Sequence, residues 1–172
     1  EGLYWYPGSN VRLVSGEIYK RYKAMGAERS VLGYPTADEA GPADGRFGNF
    51  QRGSIYWTPT HGAHDVVGGI RTRWTALGGV TGLGYPTTNE SDTGNKKGRY
   101  NHFERGSIFW SSATGAWDVR GAIRDRWAVL GWERSYLGFP TSGEYAWSGG
   151  KRSDFQRGYI VYKNGKATDH RY

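Results

Sequence analysis

A six-residue segment that occurs three times constrains this chain more than any other feature. It reads VLGYPT at 31–36, GLGYPT at 82–87 and YLGFPT at 136–141. The leucines of the three copies lie 51 and 54 residues apart, and a glutamate follows each threonine by three residues. Periods of about 50 residues are typical of proteins in which each copy is one supersecondary unit. We therefore expect several similar units.

Glycine and proline make this segment a predicted structural joint. Gly33, Gly84 and Gly138 are expected in backbone conformations that other residues adopt poorly. The proline two residues later fixes φ and keeps the aromatic residue before it extended. The three loops should therefore have the same shape and present one aromatic ring at a set angle.

A second motif follows each loop and predicts a small antiparallel meander. It reads FQRGSIYW at 50–57, FERGSIFW at 103–110 and FQRGYIVY at 155–162. β-Branched and aromatic residues favour strands, and we expect Gly53, Gly106 and Gly158 to supply the turn between two of them. Asn164-Gly165 is a strong signal for a further hairpin.

A short amphipathic helix is predicted before each loop. Ile70, Trp74 and Leu77 stand at i, i+4 and i+7, the spacing of one helix face. The equivalent residues are Ile18, Tyr22 and Met25 in the first unit and Ile123, Trp127 and Leu130 in the third. Each helix should end at the glycine that follows, Gly26, Gly78 or Gly131, in the left-handed position of a helix C-terminus.

The predicted fold is α+β and mostly β, with tandem short antiparallel hairpins or meanders and three short helices. With 8 Trp, 13 Tyr and 6 Phe, aromatic rings can build the core. We expect one domain over 1–172, divided into a partial repeat at 1–14 and repeats at 15–66, 67–119 and 120–172. Radial repetition protects short sheet edges, so a closed, propeller-like ring is favoured over an open array.

Charge and composition narrow the function classes. The net charge of +7 favours an anionic partner, although it also promotes solubility. Lys and Arg are spread along the chain, which argues against nucleic acid. No cysteine is present, which excludes disulfides, thiolate zinc sites and cysteine nucleophiles. No apolar run is long enough to span a membrane.

Catalytic and metal motifs do not emerge from the sequence. The four histidines do not recur at a fixed offset; they are His61, His64, His102 and His170. The residue spacings of zinc sites, calcium loops, Walker loops and G-x-S-x-G nucleophile turns are missing. We expect no metal, no cofactor and no enzyme activity. Repetition favours an action performed several times, whereas an enzyme needs one constellation.

Glu39, Glu90 and Glu144 are the acids that recur in every full unit. They are either ligand-binding groups or structural groups, and the structural interpretation is favoured because a buried carboxylate needs a partner. The expected partners are the recurring arginines Arg52, Arg105 and Arg157, or Arg21, Arg73 and Arg126. The recurring tryptophans are predicted to be core residues; they are Trp57, Trp110, Trp74 and Trp127.

Taken together, these motifs resemble the LGFP repeat family over about residues 2–172. The resemblance implies an extracytoplasmic module of actinobacterial envelope proteins, often appended to hydrolases or mycoloyltransferases and holding them on the cell wall. Two departures stand out: no LGYPT segment precedes Trp5, and the last copy has Tyr162 in place of tryptophan with no helix after it. A fragment of a longer array, or an offset repeat domain, is the expectation from these departures.

The favoured hypothesis is a secreted, wall-associated, monomeric, non-catalytic module that binds anionic or neutral glycan, by resemblance arabinogalactan or peptidoglycan. A protein-interaction or inhibitory repeat domain, and a cell-wall hydrolase or its accessory domain, remain alternatives. Rings can stack on sugars and arginines can reach their hydroxyls or phosphates. The candidate ligand residues are Trp117, Trp147, Trp132, Tyr136, His64, Tyr34, Tyr85, Phe139, Arg52, Arg105 and Arg157.

Overall fold

The computed structural model describes residues 1–172 and contains four separate antiparallel sheets. Sheet 1 has β1 (Gly2–Tyr4) and β2 (Arg12–Val14), and sheet 2 has β3 (Arg46–Phe50), β4 (Gly53–Thr58) and β5 (Gly62–Val67). Sheet 3 has β6 (Ser91–Asp92), β7 (Gly98–Phe103), β8 (Gly106–Ser111) and β9 (Gly115–Val119). Sheet 4 has β10 (Tyr145–Trp147), β11 (Gly150–Phe155), β12 (Gly158–Lys163) and β13 (Lys166–Arg171). The prediction of a mostly β repeat protein is confirmed.

Helices lie between consecutive sheets. They are α1 (Gly16–Met25), α2 (Gly68–Ala76), α3 (Gly79–Gly82) and α4 (Gly121–Leu130), and 3₁₀ turns follow α1 and α4 at Ala27–Arg29 and Trp132–Arg134. Gly26 and Gly131 end their helices in the left-handed region, with φ of 105° and 102°, as predicted. The fourth helix, α3, was not predicted; it is a single turn where the other units have a 3₁₀ turn.

Each long helix packs between the sheet before it and the sheet after it through aromatic rings. The ring of Trp74 lies 4.8 Å from Tyr56 in sheet 2 and 5.7 Å from Phe103 in sheet 3, measured between centroids. The same arrangement, a helix ring between one ring of each neighbouring sheet, recurs as Tyr4–Tyr22–Phe50 and Phe109–Trp127–Phe155. Three buried clusters, one per helix, form the core.

The LGYPT loop connects each helix to its following sheet. Its leucine is fully buried, and its glycine has φ of +71°, +84° or +74° at Gly33, Gly84 and Gly138. The backbone N–H of the residue after each glycine donates to the side chain of the first residue in the turn between the next two long strands. In the second loop, Tyr85 N–H donates to Glu104 Oε2 at 3.1 Å. These repeated bonds confirm the prediction of a rigid joint with one shape.

The glycine of the FQRG motif does not form the turn, and that prediction is wrong. Gly53 is the first residue of β4, and the preceding two residues make the turn. A Cβ on Gly53 would lie 2.6 Å from both Leu32 Cδ2 and Val67 Cγ1. Glycine is therefore required there because the loop leucine packs directly on the strand backbone.

No closed propeller is found. The four sheets follow one another, and no hydrogen bond, ion pair or ring contact joins sheet 1 to sheet 4. The physical reason is that each junction is made by a helix whose main contacts are with the two sheets adjacent to it in sequence. None of the helices has the length and apolar character needed to cross a membrane.

Candidate functional site

An arginine–aspartate pair ties each long helix to the sheet that follows it. Arg73 Nη2 lies 2.7 Å from Asp118 Oδ1, and the aspartate side chain is only 3% exposed. The equivalent pairs are Arg21–Asp65 and Arg126–Asp169, each at 2.6 Å. The predicted pairing of these arginines with the recurring glutamates is therefore wrong, since the aspartates of β5, β9 and β13 lie closer to the helix.

The recurring glutamates pair with a different basic residue of their own unit. Glu90 Oε1 accepts from Arg99 Nε at 2.7 Å, and its Oε2 accepts from the Val67 N–H at 3.2 Å. Glu39 pairs with Arg46 and Glu144 with Lys151, and the three glutamate side chains are 6%, 11% and 16% exposed for Glu90, Glu39 and Glu144. Burial was predicted correctly and the partners were not. Burial raises the pKa of Glu90, against the opposing effect of Arg99.

Arg52, Arg105 and Arg157, predicted as ligand contacts or glutamate partners, donate to backbone carbonyls of the LGYPT loop and not to the glutamates. Arg105 Nε donates to the carbonyl oxygen of Gly82 at 2.9 Å. Arg52 and Arg157 donate in the same way to the carbonyl oxygens of Val31 and Tyr136 at 2.8 and 2.6 Å. Their guanidinium groups neutralise the carbonyl dipoles of the loop and pair with no carboxylate.

The rings of the loops lie at the contacts between units. Phe139 is only 4% exposed, and a Cβ on Gly98 would lie 2.7 Å from this ring. Tyr85 contacts Gly45 in the same way, and Tyr34 lies 5.2 Å from Tyr6 between ring centroids. The three candidate rings therefore pack against the preceding unit.

Trp117 and Trp132 are also engaged within the protein. Trp117 Nε1 donates to the carbonyl oxygen of Thr114 at 2.7 Å, and the Arg73 guanidinium lies 4.8 Å from the ring. Trp132 stacks on Phe109 with centroids 5.4 Å apart. Both rings are half-buried, which leaves little free face for a ligand.

Tyr136 and His64 are held by hydrogen bonds. The Tyr136 hydroxyl donates to Asp169 Oδ2 at 2.6 Å; burial first, and then this bond, raises the pKa of Tyr136 to about 12. His64 Nδ1 lies 2.9 Å from Asn89 Oδ1, and its Nε2 lies 2.7 Å from the carbonyl oxygen of His61. The predicted candidates are thus distributed over the units and do not converge on one site.

Trp147 alone among the candidate tryptophans lies on an open surface, which we call the outer face of sheet 4. Because side chains alternate along strands, the register places five rings and one guanidinium group on this face. They belong to Tyr145, Trp147, Arg152, Tyr159, His170 and Tyr172. Tyr145, Trp147 and Tyr172 are 37%, 45% and 71% exposed. The Arg152 guanidinium lies 4.7 Å from the Trp147 centroid and 3.7 Å from that of Tyr159.

Asp154 organises this surface. It accepts from Arg152 Nε at 2.7 Å, from the Tyr145 hydroxyl at 2.8 Å and from the Tyr172 hydroxyl at 3.1 Å. Burial alone would raise the pKa of Asp154, but these bonds outweigh it and lower the pKa. The rings are therefore held in fixed positions around a paired guanidinium.

The equivalent faces of sheets 2 and 3 are covered by the next helix. Ser54 and Ser107 lie there and accept from Arg71 Nε at 3.0 Å and Arg124 Nε at 2.6 Å. Tyr159 occupies this position in sheet 4. The sequence interpretation missed Tyr145, Tyr159 and Tyr172; the alternation of Tyr145 and Trp147 was the signal that could have found the first of them.

Titratable clusters do not suggest a metal centre. No group of three His, Asp or Glu side chains is placed to hold a metal ion. His102 is half-buried, with Nδ1 2.6 Å from Ser107 Oγ. Burial, followed by repulsion from Arg124, lowers the pKa of His102 to about 4, so this side chain is neutral at pH 7.

The repeated helix, loop and sheet define a tandem-repeat protein. A family model for the LGFP repeat matches residues 32–82 and 83–135, which together cover more than half of the chain. The chain therefore belongs to the LGFP repeat family, whose repeats are associated with the cell envelope. Each matched segment begins at a loop leucine, Leu32 or Leu83, and includes the helix that follows the sheet. None of the curated proteins compared with the chain matches it.

Proposed function

We propose that this protein is a non-catalytic module that binds cell-envelope glycan, arabinogalactan or peptidoglycan, and holds an extracellular protein on the wall. One observation carries the proposal: the outer face of sheet 4 presents exposed rings fixed around Arg152. Aromatic faces can stack on the apolar face of a sugar, and charged groups beside them can bond its hydroxyls. The envelope association of LGFP repeats supports the same conclusion.

Retention on purified cell walls tests the proposal. Trp147→Ala should lower retention strongly, because it removes an exposed ring that lies against Arg152. Trp5→Ala is the matched control, since Trp5 is 58% exposed but lies beside sheet 1. Equal retention of Trp147→Ala and the parent chain would contradict the assignment of the site.

Ionic strength separates stacking from charge attraction. The Debye length falls from about 10 Å at 0.1 M salt to about 3 Å at 1 M, so the contribution of the +7 net charge should fade. Ring stacking should persist, because salt does not weaken apolar burial. Retention should fall with salt without vanishing, and complete elution at 1 M salt would mean ion exchange alone.

A protein-interaction domain is the second candidate, and the exposed face of sheet 1 favours it. Leu3 and Leu13 are directly opposite each other in the register and are 72% and 40% exposed; Trp5 and Val11 are 58% and 56% exposed beside them. Contiguous exposed apolar residues often mark interaction sites. If Leu3→Ser abolished capture of a protein partner and left wall retention unchanged, this candidate would gain support.

A further inference from the structure

Two pockets of the same composition recur at equivalent positions in the first two complete units. The first is lined by Gly16, Ile18, Glu39, Arg46 and Trp57. The second is lined by Gly68, Ile70, Glu90, Arg99 and Trp110. Their volumes are about 330 and 440 Å³, at the lower end of the range for small-molecule sites, about 300–1,000 Å³. We call them the first and second Trp pockets.

The indole ring of each pocket is only partly used by the fold. Trp57 and Trp110 pack against a core cluster and remain half-buried. Trp74 Nε1 and Trp117 Nε1 donate to backbone carbonyls, whereas no acceptor within the protein meets the indole N–H of Trp57 or Trp110. Each pocket therefore has an indole as an apolar wall, and the N–H group of that indole has no partner within the protein.

The opposite edge of each pocket is polar. In the second Trp pocket, the Glu90 carboxylate uses two of its acceptor sites, for Arg99 and for the Val67 N–H. An ionised carboxylate has about four such sites, so acceptor capacity remains for a hydroxyl group. In the first Trp pocket the Glu39 carboxylate likewise accepts two hydrogen bonds, from Arg46 and from the Ser15 hydroxyl.

The pockets are related but not identical. Val31 and Arg52 of the preceding unit add a wall to the second Trp pocket. In the third unit Tyr162 and Lys151 stand where the tryptophan and the arginine stand in the others.

We propose that each Trp pocket binds one sugar unit of a glycan, so that the chain holds one polysaccharide at several points; this rests on the glycan-binding function proposed above. A sugar ring has an apolar C–H face to lie on the indole and hydroxyl groups at its edge for Glu90 and Arg99. A wholly apolar ligand would cover the Glu90 carboxylate without supplying a donor for its remaining acceptor sites, which is costly. A polymer of repeating sugars matches a site that is itself repeated, and linked sites gain about 10²–10⁴ in avidity.

Nuclear magnetic resonance of the indole N–H groups gives the test. The chain has eight tryptophans, so the ¹⁵N-labelled protein gives eight indole signals, assigned with single Trp→Phe variants. The probe is a soluble oligosaccharide fraction released by partial hydrolysis of purified cell-wall glycan. We expect the Trp57 and Trp110 signals to shift saturably and those of the buried Trp74 and Trp127 to stay in place.

A pocket-filling variant tests multivalency without disturbing the core. Val31 is 55% exposed and borders only the second Trp pocket, so Val31→Trp should fold normally and block that pocket. The Trp57 signal should still shift with oligosaccharide, while affinity for the intact polymer should fall at least about tenfold. Val129→Trp, at a 78% exposed position away from both pockets, is the control.

The outcomes distinguish the two proposals. If only the Trp147 signal shifted and Val31→Trp bound the polymer like the parent chain, the glycan-binding function would stand and the Trp pockets would be refuted. If no indole signal moved and the parent chain was not retained on cell walls, both proposals would fail.

Discussion

Replacing Arg21 by methionine should destabilise the protein more than the same change at Arg73, although the two arginines are equivalent in the repeat. Arg21 is the only side-chain partner of Asp65, which is 3% exposed. Removing one partner of a buried pair costs about 3–5 kcal/mol. Asp118 would keep Arg120, whose Nε lies 2.7 Å from its Oδ2, so Arg73→Met should cost about 1.5–3 kcal/mol, the value of a charged hydrogen bond.

Thermal unfolding followed by circular dichroism measures this difference. For a domain of this size each kcal/mol shifts the Tm by roughly 2–4 °C, so Arg21→Met should lower it by about 6–20 °C and Arg73→Met by about 3–12 °C. The double variant Arg21→Met/Asp65→Leu should regain most of the loss, because replacing both members of a buried ion pair by apolar residues of similar volume is often neutral or stabilising. A larger shift for Arg73→Met, or no recovery in the double variant, would refute the reasoning.

Three further predictions concern the loop and the charged groups. Gly84→Ala should cost more than the about 1–2 kcal/mol of left-handed backbone strain, because its Cβ would lie 2.3 Å from Glu104 Oε2; Gly62→Ala, at φ +81° with open space around it, should cost the strain alone in urea unfolding. Hydrogen bonding by Tyr136 lowers the pKa of Asp169 in the folded protein. The ionised Asp169 therefore stabilises the fold above the pKa of the unfolded chain, about 3.9, and this stabilisation is lost as the pH falls through the pKa of the folded protein. Asp169→Asn should accordingly make the free energy of unfolding depend less on pH in this acidic range. Tyr136, with a pKa of about 12, should ionise after the exposed tyrosines in an ultraviolet titration, and Asp169→Asn should advance it.

Local backbone rules explain why the joints and helices were predictable. A glycine two residues before a proline, and an apolar stripe that ends at a glycine, each restrict the backbone of a few consecutive residues. Gly84 therefore has the left-handed backbone that the sequence predicted, and α4 ends at Gly131 as predicted. Repetition strengthened these predictions, since three independent copies gave the same pattern.

Partner choice could not be predicted because strand register decides it. Arg21 and Asp65 are 44 residues apart in sequence, and the register of β4 against β5 brings the aspartate onto the helix-facing side. Glu90 lies nearer to α2 in sequence but turns toward Arg99 across the polar loop. Several arginines and several acids recur at fixed positions in each unit, so the sequence could not show which arginine pairs with which acid.

The two Trp residues of the pockets illustrate a second limit. Trp57 and Trp110 recur at a fixed position, which favoured a core role, and both do pack against a core cluster. A ring has two faces, however, and recurrence in sequence cannot tell whether the second face is covered. Only the placement of β3 and β7 beside the helix start leaves a pocket there.

The two end sheets differ in the chemistry of the face that no helix covers. Sheet 1 exposes aliphatic Leu3 and Leu13 where sheet 2 has the buried residues Ile55 and Asp65 beneath α1. Sheet 4 instead replaces the small serine of the covered faces by Tyr159, with Arg152 lying over its ring. A helix that packed as α2 and α4 do would meet this ring where they meet a serine hydroxyl. The outer face of sheet 4 therefore cannot repeat the serine–arginine contact that α2 and α4 make with their sheets, and it presents rings fixed around a paired guanidinium instead.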